Sequence, residues 1–82
     1  MGANKNRRDK EAINRFGANL RACRKNAGLT MTELANLCDV TYTQISNMEL
    51  GVTDSSLTQI VLVAKVLKAD VGELINGNIT DK

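Results

Sequence analysis

Three times in this chain a Thr or Asp is followed, three residues on, by a Glu or Gln: Thr30 with Glu33, Thr41 with Gln44, and Asp70 with Glu73. Each pair spells a capping box. The first side chain accepts from an amide of a new helical turn, and the second reaches back to the amide of the cap. The first two boxes lie so close together that the helix between them has room for only about two turns. Proline is absent, and no Val/Ile/Thr run alternates strictly with polar residues. The chain therefore reads as short helices with tight connections, not as a sheet.

Upstream of the first box, Ile13, Phe16, Leu20, Cys23 and Ala27 recur at three- and four-residue steps, one face of a helix. Gly28 suits a left-handed end to it. The second helix turns Leu34, Ala35 and Cys38 inward and breaks at Asp39-Val40. The third, about residues 41–50, points Ile45 and Met48 to one side and closes at Gly51. Asp54, Ser55 or Ser56 caps a fourth helix, which is apolar almost all round. Asp70 opens a fifth helix with Val71, Leu74 and Ile75, ended by Asn76-Gly77-Asn78. Helices two and three are joined by about three residues, the spacing of a helix-turn-helix. The fold class expected is all-α, a compact five-helix domain over residues 12–77. A polar basic arm (1–11) and a frayed end (78–82) flank it.

Eighty-two residues with 43% hydrophobic content allow one modest core. No apolar run spans a bilayer, and no apolar segment follows the basic start as a signal peptide requires. Asn6, where a myristoylation signal needs Ser or Thr, argues against lipidation. A cytoplasmic location is the simplest expectation. The two cysteines, Cys23 and Cys38, make no metal-ligand spacing, and histidine is absent. They read as reduced, buried small hydrophobes. Without His there is no Ser-His or Cys-His pair, so we expect neither an enzyme nor a metal, cofactor or small-molecule substrate.

The net charge of +2 is unevenly spread. Residues 1–25 carry eight Lys/Arg against two acids, whereas residues 26–82 carry three against seven. A basic arm or face that meets a polyanion fits this asymmetry; so does a solvated tail.

From Phe16 to Ile75 the chain resembles the Cro-type, lambda-repressor-like helix-turn-helix family. The resemblance rests on "GLT-x-x-ELA" opening helix two, "V-T-x-x-x-IS-x-x-E-x-G" as helix three, and then "SL-x-x-I" and "V-x-x-LI". It implies a DNA-binding domain whose third helix enters the major groove of double-stranded DNA, with two subunits on an inverted repeat. Carried over by position, Tyr42, Thr43, Gln44 and Asn47 would touch base edges. Thr41, Arg21, Lys25, Arg7 and Arg8 would touch the backbone. Arg24 and Glu49 would form a structural pair between helices one and three. Met31 stands where the family often has a phosphate-binding Gln, and the loop "VTDSS" carries an acid where it often has Lys or Arg.

Two readings of Tyr42 are open. It can face the groove, or fold back over Val40 onto the core. For Gln44 and Asn47 the alternative to base contact is ordinary helix-surface polarity. Some of Leu62, Val63, Val66, Val71 and Ile75 are expected to stay exposed in the monomer and supply an apolar patch for a homodimer. The function expected is a homodimeric, sequence-specific transcription regulator of the repressor or controller-protein kind. A protein-interaction module of the same fold that has lost DNA binding is the alternative.

Overall fold

The computed structural model describes residues 9–77. They form α1 (Lys10–Asn26), α2 (Met31–Cys38), α3 (Tyr42–Leu50), α4 (Leu57–Leu67) and α5 (Val71–Asn76). The five helices and their order follow the expectation. The arm residues Arg7 and Arg8 and the expected fraying at 78–82 lie outside the described residues.

The capping chemistry punctuates the chain as its sequence implies. Thr30 and Glu33 close a full box at α2, with bonds of 3.0 and 2.8 Å. Thr41 and Gln44 do the same at α3, at 3.0 and 2.9 Å. At α5 the Glu73 carboxylate accepts from the Asp70 amide at 3.0 Å. Among the three candidate caps of α4, the structure selects Ser56, which closes a box with Gln59. The first helix starts earlier than its apolar stripe implies. Asp9 Oδ1 accepts from the Ala12 amide at 3.0 Å, so Lys10 is already helical. An acidic cap and Glu11 in the first turn both suit the positive end of the helix dipole.

The connections are short. Asp39 and Lys68 take left-handed conformations at the ends of α2 and α4 (φ 58° and 57°). Both are polar residues at a C-cap, where they let the chain reverse without a glycine. The turn Asp39–Thr41 joins α2 to α3.

The core is one cluster of Phe16, Leu20, Cys23, Leu34, Ala35, Cys38, Ile45, Met48, Val63, Ala64 and Leu74. Helix α1 is its spine, packing on α3 and α5, while α2 bridges α3 and α4. Both cysteines are free and buried. Burial pushes both thiols up from their ordinary range, and at Cys23 the nearby Glu73 charge adds to this. Burial thus favours the protonated form of both thiols.

The candidate dimer residues divide between core and surface. Val63 is only 2% exposed and belongs to the core. Leu62, Val66 and Val71 are half-buried and pack against that core, and of the five residues only Ile75 is exposed. In α4 the inward side runs through Val63 and Ala64. The outward side carries Leu57 and Val61, which with Thr58, Leu62 and Lys65 line a shallow depression of 340 Å³. A helix that is apolar nearly all round does not reveal from its sequence which side its neighbours cover.

Candidate nucleic-acid interface

Helix α3 is short, capped at both ends and pinned to α1. Its inward side is Ile45 and Met48, 0% and 2% exposed. At 100° per residue, the opposite direction falls on Thr43 and Leu50, with Asn47 and Ser46 about 50° to either side. Thr43 and Leu50 are exposed, and Ser46 and Asn47 half-exposed. The outer face of α3 thus presents a hydroxyl, an amide and a branched apolar side chain.

Two devices hold that face in place. The first is an ion pair between α1 and α3. Arg24 Nε donates to Glu49 Oε2 at 2.6 Å, and Nη2 donates to Oε1 at 3.2 Å. The third fork nitrogen, Nη1, donates to the Leu29 carbonyl in the α1–α2 turn at 2.8 Å. One guanidinium therefore ties three segments together with the bidentate geometry that carboxylates favour. The two side chains are 10% and 5% exposed. The hydrogen bond to Glu49 raises the Arg24 pKa, while burial works against it. The expected structural pair is formed. It also neutralises the one acid on α3, which would otherwise repel phosphate.

The second device was not visible as a pattern. Gly17, buried in mid-α1, lies so close to α3 that a Cβ there would stand 2.5 and 2.6 Å from the carbonyl oxygens of Glu49 and Met48. Only glycine permits that approach. A glycine inside a helix costs about 1 kcal/mol against alanine, and that cost was the one available signal that the position had a packing purpose.

The remaining candidates are distributed around this face. Tyr42 is 50% exposed. It stands at the α1 edge of α3, one turn before Ser46. Gln44 is exposed, but its Oε1 is committed to the Thr41 amide and lies 3.3 Å from the Thr41 hydroxyl. Its amide nitrogen is the part left to offer. The Thr41 hydroxyl caps the Gln44 amide. Arg21 and Lys25 are exposed on α1, and Arg21 borders a depression of 170 Å³ shared with Arg24, Met31, Ser46, Glu49 and Leu50. Asp54 lies in the α3–α4 loop, where it borders a depression shared with Ala12, Ile13 and Ile75.

Two further bonds, from Arg15 Nε to the Ile75 carbonyl (3.2 Å) and from Asn19 Nδ2 to the Leu74 carbonyl (2.7 Å), satisfy the last turn of α5 from α1. Among the described residues no helix is long and apolar enough to cross a membrane.

A helix-turn-helix family model matches residues 20–74. The fold is similar to that of the restriction-modification controller protein C.AhdI from Aeromonas hydrophila, at 31% identity and a TM-score of 0.73. That match covers 76% of this chain and 94% of that one. It is also similar to the clp gene regulator ClgR from Corynebacterium glutamicum, at 29% identity and a TM-score of 0.76, covering 79% and 69% of the two chains. A hypothetical transcription factor, NHTF from Neisseria, is 25% identical with a TM-score of 0.72, covering 90% and 86%. No curated protein sequence matches the chain significantly.

Proposed function

The chain belongs to the Cro/C1-type helix-turn-helix family of DNA-binding regulators, and from that premise we propose that it is a homodimeric transcription regulator that reads a specific inverted repeat in double-stranded DNA. The observation that carries the reading is the outer face of α3. Its residues opposite the core include Thr43 and Asn47, and the helix is locked to α1 by Arg24–Glu49 and by the close approach at Gly17.

In this reading α3 lies in the major groove. Asn47 pairs its amide with adenine, and Thr43 donates to a base or meets a thymine methyl. Tyr42, half-exposed at the first turn, contacts a base edge or a phosphate. Gln44 serves first as the cap of α3 and offers its amide nitrogen to DNA. Thr41, Arg21 and Lys25 hold the backbone, and Arg7 and Arg8 of the arm add phosphate contacts in place of those missing at Met31 and in the acidic loop. The outward apolar side chains Leu57, Val61 and Ile75, with half-buried Leu62, supply the dimer contact, so that two copies of α3 face successive turns of the duplex.

The test is Asn47→Ala measured on a specific and on an unrelated duplex. A lost bidentate contact weakens specific binding by about 1–3 kcal/mol per half-site, with non-specific affinity nearly unchanged. Equal losses on both duplexes would remove Asn47 from base readout.

A further inference from the structure

Leu50 is the anomaly of α3. It is 67% exposed, yet it stands on the outer face with Thr43 and Asn47, two turns and one turn before it. Nothing in the helix's own packing calls for it there, since Ile45 and Met48 already fill the core side. It has an apolar neighbour from another helix. Met31, in the first turn of α2, borders the same 170 Å³ depression as Leu50, Ser46 and Arg21. Thus α2 and α3 both bring an apolar side chain to the position where Arg21 supplies a cation.

The major groove offers few apolar groups, and the most prominent is the methyl group at C5 of a pyrimidine. The distance from Thr43 to Leu50 along α3 is seven residues, about 10 Å at 1.5 Å per residue. That is roughly three base-pair steps. A helix lying along the groove with Thr43 and Asn47 on base edges therefore sets Leu50 over a neighbouring pair, and Arg21 at the rim reaches the flanking phosphate.

We propose that Leu50, backed by Met31, is a specificity-determining residue that reads a pyrimidine 5-methyl group in each half-site. This rests on the DNA-binding reading of α3 given above. The methyl group can belong to thymine or to 5-methylcytosine, because both present the same carbon at the same place in the groove.

The experiment uses the full chain and a duplex carrying its preferred site. Each thymine in turn is replaced by deoxyuracil, and each cytosine in turn by 5-methylcytosine. Affinities are measured for the unaltered protein and for Leu50→Ala. Leu50 is exposed, so the variant keeps its core, and a thermal melt confirms this. Removal of one buried methyl group weakens binding about fourfold per half-site.

If thymine is the source, deoxyuracil at one symmetric position gives that loss in the unaltered protein and none in Leu50→Ala. If methylcytosine is the source, the same Leu50-dependent effect appears as a gain on methylation. Either result supports the proposal. Insensitivity to every 5-methyl group, or equal sensitivity in Leu50→Ala, overturns it while the specific DNA binding stands. Failure of the unmodified site to bind better than random duplex overturns the DNA-binding reading itself.

Discussion

Arg24 shows how one side chain can fix the seat of a whole helix. Its guanidinium joins α1, the α1–α2 turn and α3 through three hydrogen bonds, and both partners of the ion pair are nearly out of water. Breaking such a pair by deleting one side is far more harmful than never having had it, because the remaining charge stays buried and unpaired. We predict that Glu49→Ala destabilises the fold by roughly 3 kcal/mol. In a domain of this size, that lowers the melting temperature by more than about 10 °C. Calorimetry checks it, and a loss within 0.5 kcal/mol, the size of an ordinary surface substitution, would show that the pair is screened in solution. The pairing of Arg24 with Glu49 was readable beforehand only through the family resemblance, since residues twenty-five apart share no local pattern. Gln44 shows the reverse. Its capping spacing with Thr41 was plain in the sequence, but that a cap limits the same side chain as a base reader emerges only once the Oε1 bond is seen.

Among the helices, the caps were the most legible feature and lateral packing the least. Capping needs only neighbours three residues apart, so Thr30, Thr41 and Asp70 announced their helices. Asp9 escaped notice because no Glu or Gln follows at the box spacing and the apolar stripe begins later, at Ile13. Helix α4 hid its orientation because apolar residues occupy nearly every side. Val63 therefore fell in the core and Leu57 outside it, a choice made by α1, α2 and α5 and not by α4 itself. Gly17 marks the contact that orients α3. Alanine there would gain up to about 1 kcal/mol in helix propensity, but its Cβ would meet two backbone carbonyls of α3. Backbone does not yield as a flexible side chain does, and overpacking of this kind costs about 1–3 kcal/mol. Gly17→Ala should thus lower the denaturation midpoint and weaken specific DNA binding more than the stability loss explains, because α3 is pushed off its seat. Unchanged stability with unchanged binding would mean that the α1–α3 crossing adjusts freely.

For the whole molecule, fold and function separate cleanly in what the sequence carries. The five-helix architecture follows from caps, periodicity and short connections, all of them local. The proposed readout face follows from the three-dimensional placement of α3, which puts Thr43, Asn47 and Leu50 outward and brings Leu50 to the depression that Arg21 borders. The charge balance points the same way. The basic residues gather in the first 25 positions, and on α1 Arg21 and Lys25 remain exposed while Arg24 neutralises Glu49. In the proposed reading, attraction to phosphate and discrimination among bases thus belong to different helices. In the proposed function, two copies of this α3 face read a twofold-related pair of half-sites. Its most direct test is selection of bound duplexes from a random DNA library at moderate salt. An enriched inverted repeat with half-site centres about one helical turn apart, roughly 34 Å, is the expected result. A folded, dimeric protein that enriches no sequence would contradict it.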